Sequence, residues 1–158
     1  MSTVVDKSRF MSATLILLAA AWAALTAQPA HASLGSDVAS VRADMAHMRG
    51  NTRIVQANGY AVHEIQSPAG PTLREYVSSD GKVFGVAWQG STQPDLRQVL
   101  GSHFNTYVQA VQRRTARGVR RIEAGGLVVE FGGHQRSFFG RAYLRDMVPT
   151  NVHPESIK

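Results

Sequence analysis

Two acidic residues on neighbouring predicted strands are the first candidates for chemistry. Glu64 lies in the run YAVHEIQ and Glu75 in TLREYVS. If the connection between the runs is symmetric, the two carboxyl groups face each other and could share a proton as a general acid/base pair. A one-residue change of register instead places Glu64 opposite Arg74 as a cross-strand ion pair. Because like charges placed opposite each other destabilise a sheet, we favour the ion pair, although both registers remain open.

The histidines are the second set of candidates. His63, His103 and His134 fall on a predicted strand, helix and turn, with no HxH or HExxH spacing to favour a shared metal. The thioethers in Met45–Met48 could attract copper(I), but both methionines extend an apolar helical stripe and are better explained by core packing. We therefore predict structural histidines, no metal site and no cofactor.

Nucleophilic and nucleotide-binding signatures are also missing. The chain has no cysteine and no G-x-S-x-G motif, and Gly132-Gly133 is not followed by the further glycine and helix that cradle a phosphate. We assign no catalytic residue and expect a protein that is not an enzyme. The alternative is a small hydrolase that uses dispersed carboxylate and histidine side chains, with Glu64, Glu75 and His134 as its candidates.

A cluster of arginines is the most suggestive functional feature. The formal net charge is +6, and the cluster follows a predicted long helix, where cations also complement the helix dipole. Arginine suits bidentate contact with carboxylates and phosphates, so we predict an anion-binding patch. A solvated, favourably charged helix end is the plainer alternative. The predicted patch consists of Arg113, Arg114, Arg117, Arg120 and Arg121.

The N-terminus predicts export. Lys7 and Arg9 precede an apolar run, Ala13–Ala27, and a small-x-small site, Ala30-His31-Ala32. This is the pattern of a signal peptide, residues 1–32, with cleavage after Ala32. The run is short for a membrane span, and no later segment is as apolar, so we predict no transmembrane segment after cleavage. The expected location is periplasmic or secreted.

Residues 33–148 are predicted to form one α+β domain. An antiparallel sheet of about five strands should pack against one long helix, Asp95–Gln112, with a short N-terminal helix between Ser36 and Gly50 alongside. The residues from 149 to 158 are expected to form a polar, poorly ordered tail. The strands are predicted at Tyr60–Gln66, Thr72–Ser78, Val83–Gln89, 127–131 and 136–144.

Two of these runs carry more detailed expectations. VFGVAWQ is apolar on both faces and should be a central strand, with Phe84, Val86 and Trp88 on one face and a small face that a helix could approach. In VVEFGGHQRSFFGRAY, Gly132-Gly133 should form the turn of a hairpin, with His134 near its tip.

The same residues carry a resemblance. Residues 74–107, REYVSSDGKVFGVAWQGSTQPDLRQVLGSHFNTY, and 126–144, GLVVEFGGHQRSFFGRAYL, resemble the exported proteobacterial proteins of domain-of-unknown-function family 2844. The segments VFGVAWQG and PDL are the most specific, and Ser91 stands where proline is expected. The resemblance implies one exported domain, and the family has no assigned activity or functional residues.

Together these features predict a non-enzymatic binding or assembly factor of the cell envelope. Its partner would be an anionic envelope component or another envelope protein. Export makes nucleic acid an unsuitable partner.

Overall fold

A computed structural model describes residues 34–37, 51–68, 70–113 and 121–158. Their main feature is a seven-stranded antiparallel sheet with the strand order β1-β2-β3-β4-β7-β6-β5. The strands are β1 (Asn51–Ala57), β2 (Tyr60–Gln66), β3 (Thr72–Ser78), β4 (Val83–Gly90), β5 (Arg121–Ala124), β6 (Leu127–His134) and β7 (Ser137–Leu144).

The prediction of a five-stranded α+β domain is wrong, because the described chain is mostly β and has seven strands. The two missed strands are the sheet edges. Every residue of β1 is exposed. Its sequence, NTRIVQA, therefore lacks the alternation of apolar and polar residues by which a half-buried strand is predicted. β5 has only four residues, of which Ile122 alone is buried.

The predicted long helix has the right extent but is not continuous. It consists of α1 (Leu96–Leu100), a 3-10 turn (Gly101–His103) and α2 (Phe104–Gln112). The interruption lies at Gly101, whose backbone (φ 50°, ψ −123°) is not helical. Asp95 caps α1 by accepting a hydrogen bond from the Arg97 amide at 2.8 Å. The predicted N-terminal helix lies outside the described residues, apart from its start, where Asp37 forms a β-bridge with Lys82.

The helical segment covers one face of the sheet, which we call the helix face. Val99 and Leu100 are buried there with Val86 and Trp88 of β4. The prediction for Phe84 is wrong, since it packs in a separate cluster on the opposite face. A β-bulge explains the change: Tyr76 pairs with Gly85 but Val77 pairs with Val83, which leaves Phe84 as an extra residue.

The opposite face is covered by residues 149–158, which we call the C-terminal strap. The prediction that this segment is poorly ordered is wrong: Val152 is 8% exposed and Ile157 is fully buried. Ile157 lies over Gly85, where an added Cβ would come within 2.9 Å of its Cδ1. The small face of β4 therefore receives the strap and not a helix.

Hydrogen bonds hold the strap in place. The Tyr76 hydroxyl donates to the Lys158 carbonyl oxygen at 2.8 Å and accepts from the Lys158 amide at 3.0 Å. Arg141 Nη1 donates to the Pro154 carbonyl oxygen at 2.9 Å. These contacts satisfy polar groups that would otherwise be buried without a partner, so an apparently polar segment can pack on the sheet.

The predicted hairpin exists, but its turn lies further along the chain. β6 continues through Gly132-Gly133 to His134, which pairs with Ser137. The reversal occurs at Gln135-Arg136, where Arg136 has a φ of 66°. Gly133 is needed within the strand because a Cβ there would lie 2.1 Å from the Ser137 carbonyl oxygen.

Candidate functional site

The three residues proposed for a hydrolase are not brought together. Glu64 pairs with Arg74, with 2.7 Å between Arg74 Nε and Glu64 Oε2, so the ion-pair register is confirmed and the facing-acid register is wrong. Glu75 is 1% exposed and lies opposite His63 on β2. Because neighbouring residues of a strand point to opposite faces, Glu64 and Glu75 lie on different sides of the sheet. His134 is exposed at the distant hairpin end.

The arginine cluster is only partly within the described residues. Arg113 is exposed at the end of α2, and Arg121 begins β5. Arg114, Arg117 and Arg120 lie outside the described residues. Arg121 forms ion pairs with two glutamates, so part of its charge is already balanced.

An open groove of about 600 Å³ lies at the hairpin end of the strap face. Its floor is the backbone of β4, β7 and β6, and its wall is the end of the C-terminal strap. We call it the hairpin groove. The side chains that matter for its chemistry are those of Gln89, Arg121, Glu130, Phe139, Arg141 and Lys158.

A row of charged side chains crosses the groove. Arg121, Glu130 and Arg141 are cross-strand neighbours on β5, β6 and β7. Glu130 accepts hydrogen bonds from both arginines, with 2.5 Å between Arg141 Nε and Glu130 Oε2. The Glu130 and Arg141 side chains are 21% and 22% exposed, so this pair is partly screened from water.

The row continues to a second carboxylate at the sheet edge. Glu123 binds Arg121 through Nε at 2.5 Å and also binds Arg145. The hydrogen bond from Arg121, with the charge of that residue and of Arg145, lowers the pKa of Glu123. The same hydrogen bond raises the pKa of Arg121. Glu123 and Arg121 are therefore ionised at neutral pH and form a charge-assisted hydrogen bond.

Two glycines and two aromatic rings shape the floor of the groove. A Cβ at Gly140 would lie 2.2 Å from Trp88 Cζ2, so the Trp88 ring lies across β7 on the helix face. A Cβ at Gly132 would lie 2.7 Å from Phe139 Cζ, so the Phe139 ring covers that glycine. Phe139 remains 54% exposed. The groove thus presents an accessible aromatic ring beside its arginines.

The sequence contained signals for this arrangement that the hairpin interpretation did not use. Phe139 and Arg141 are two residues apart and so lie on one face of β7, and Gly132 precedes them on the partner strand. A glycine opposite an aromatic residue lets the ring lie flat over the sheet. We interpreted Gly132-Gly133 only as a turn, and so missed Glu130, Phe139, Arg141 and Gln89.

The groove offers hydrogen-bond donors and an apolar surface to a ligand. Its described lining has no serine, threonine, cysteine or histidine, and its one carboxylate, Glu130, is held by two guanidinium groups. Guanidinium, ammonium and amide groups offer donors to a ligand, and the aromatic ring offers an apolar surface. This is the composition of a recognition site with a few oriented polar groups.

No group of three or more acidic, histidine or cysteine residues that could hold a metal occurs in residues 34–37, 51–68, 70–113 and 121–158. His63, His103 and His134 lie on β2, the 3-10 turn and the end of β6. The Met45–Met48 segment lies outside the described residues.

Comparisons place the chain among known sequences. In the part of the chain that the structure describes, no helix has the length and apolarity needed to cross a membrane. No curated protein and no solved structure shows significant similarity to the chain. A family model described as "protein of unknown function (DUF2844)" matches residues 30–157, which is most of the chain, and the protein therefore belongs to this family.

Proposed function

We propose that this protein is an exported, non-enzymatic binding factor of the cell envelope and that the hairpin groove holds an anionic ligand. Export rests on the N-terminal signal pattern, with cleavage after Ala32. The ligand would be an anionic envelope component, whose carboxylate or phosphate groups meet the arginines of the groove.

The charge of the groove carries the proposal. Its described lining has three basic side chains, Arg121, Arg141 and Lys158, and one acidic side chain, Glu130; Glu123, outside the lining, also pairs with Arg121. A positive site inside a concave surface raises the local concentration of an anion. The partly buried ion pair with Glu130 also restricts the Arg141 side chain, which lowers the entropy that this side chain loses when a ligand binds.

The predicted arginine cluster has a place in this proposal. Arg121 belongs both to the cluster and to the groove. The other arginines of the cluster precede Arg121 in the chain. The groove, and not the helix end alone, would then be the anion site.

Binding of the exported protein to polygalacturonate and to lipopolysaccharide vesicles tests the proposal. Affinity for at least one of them should fall steeply from about 0.01 M to about 0.15 M salt, where the Debye length shortens from roughly 30 Å to roughly 8 Å. The double variant Arg121→Gln/Lys158→Gln should lose most of that binding. Arg141 is left intact because it also holds the strap.

Arg113→Gln is the matched control, because it removes an exposed arginine outside the groove. It should bind as the unaltered protein does. A loss in Arg113→Gln with no loss in the double variant would place binding at the helix end. Absence of salt-dependent binding to both probes would refute the proposal as a whole.

Export has its own test. Intact mass measurement on protein taken from the native cell should give a chain that starts at Ser33, and fractionation should place it outside the cytoplasm. A chain that keeps Met1 in the cytoplasmic fraction would contradict the envelope assignment.

A further inference from the structure

We infer that the hairpin groove recognises an acidic saccharide, with a uronic acid ring stacked on Phe139 and its carboxylate bound by Arg141 and Lys158. The inference rests on the proposed anion-binding function and names its ligand class. A site for a simple anion would leave the exposure of Phe139 unexplained.

Phe139 takes no part in either buried core. It is absent from the clusters on both faces of the sheet and is 54% exposed. Tyr143, which lies four residues further along the same face of β7, is only 3% exposed. Gly132 supports one side of the ring, which leaves the other side available. The negatively polarised face of an aromatic ring attracts the C–H groups of a sugar ring.

The spacing along β7 suits a sugar that carries one acidic group. Phe139 and Arg141 are two residues apart on one face, which is about 7 Å at the usual rise of a strand. A pyranose ring over Phe139 would therefore place an exocyclic carboxylate within reach of the Arg141 guanidinium. An inorganic anion would use the guanidinium groups and leave the ring unused.

The remaining donors also fit this ligand. Among the described residues, Arg141 uses Nε for Glu130 and Nη1 for strap carbonyl groups, so Nη2 is the guanidinium nitrogen left to donate to a ligand. Gln89 pairs with Phe139 across β4 and β7, so its amide can donate to one hydroxyl and accept from another. Polar groups therefore flank the aromatic ring on two sides.

The test compares ligands that separate the contribution of charge from the contribution of the sugar ring. Trimers of galacturonate, glucuronate and mannuronate carry rings and carboxylates, tricarballylate carries three carboxylates without a ring, and galactotriose carries rings without charge. In calorimetric titration of the exported protein, at least one uronate trimer should bind at least about fivefold more tightly than either comparison ligand.

Variants of Phe139 separate stacking from simple apolar contact. Phe139→Leu keeps apolar bulk without an aromatic face and should weaken uronate binding about fivefold, while Phe139→Trp should retain it. Neither should change tricarballylate binding. Val111→Ala alters another exposed apolar side chain, 42% exposed, and should leave all binding unchanged. Thermal unfolding of each variant checks that the fold is kept.

The outcomes distinguish the two proposals. Equal binding of tricarballylate and every uronate trimer, unaffected by Phe139→Leu, would overturn the saccharide assignment and keep the anion site. Tight binding of galactotriose would also overturn it, because charge would then be unimportant. Failure of every charged ligand to bind in a salt-dependent way would remove the anion-binding function itself.

Discussion

The contact between Gly85 and Ile157 gives the sharpest test of how the strap is held. An alanine Cβ at position 85 would lie 2.9 Å from Ile157 Cδ1 but 3.4 Å from Cγ2. Gly85→Ala should therefore destabilise the protein by about 1–3 kcal/mol through overpacking. Ile157→Val removes the Cδ1 methyl group and should cost about 0.5–1.5 kcal/mol on its own, because Ile157 is fully buried.

The double variant Gly85→Ala/Ile157→Val should be more stable than the two single effects predict when added. The alanine methyl group would occupy part of the space that Cδ1 vacates, so we expect a coupling free energy of about 1 kcal/mol. Urea unfolding of the four proteins, with Trp88 fluorescence as the probe, measures this coupling. Additive free energies of unfolding would show that Ile157 does not pack on Gly85, and would refute the strap packing that forms the groove wall.

Three further predictions concern the contact of Trp88 with Gly140, the burial of two isoleucines and the titration of Tyr76. Gly140→Ala should destabilise the protein by about 3 kcal/mol in urea unfolding, since its Cβ would meet the Trp88 ring at 2.2 Å; a neutral effect would contradict that ring placement. Ile65→Ala should lower the free energy of unfolding by about 2–5 kcal/mol, because Ile65 is 0% exposed. Ile54→Ala should lower it by less than about 0.5 kcal/mol, because Ile54 is 52% exposed. Equal losses of stability would show that β1 is covered. Burial raises the pKa of Tyr76, so its contribution to stability should be complete below about pH 10 and be lost as the pH rises through the raised pKa. Unfolding at a series of alkaline pH values should show a smaller decline in Tyr76→Phe, and an identical decline in both proteins would exclude Tyr76 as a contributor.

Prediction from sequence succeeded for the strands that bury at least one face. β2, β3 and β4 have at least one buried face, and their runs were recognised almost to the residue. β1 was missed because all of its residues are exposed and no buried face gives the segment a pattern. Edge strands can keep polar or mixed sequences on both faces, so periodicity alone does not detect them.

The strap was missed for a different reason. Its apolar residues, Val152 and Ile157, are five positions apart and match neither a helical nor a strand period. Ile157 packs over Gly85, which lies 72 residues earlier in the chain, and the adjacent Lys158 is bound by the Tyr76 hydroxyl. A contact of this kind is tertiary, and no local pattern records it.

The groove is open because the end of the sheet that forms it is poor in core-forming side chains. Gly132, Gly133 and Gly140 supply no apolar bulk, so neither the strap nor the helix gains much by extending over them. Their lack of side chains allows Trp88 and Phe139 to lie flat on opposite faces. The glycines that we first interpreted as a turn thus have a second effect, since they leave a ring and a row of arginines accessible on one face. The binding surface therefore forms where these glycines bury no apolar side chains. The apolar patterns that predict a core from sequence do not detect such a place.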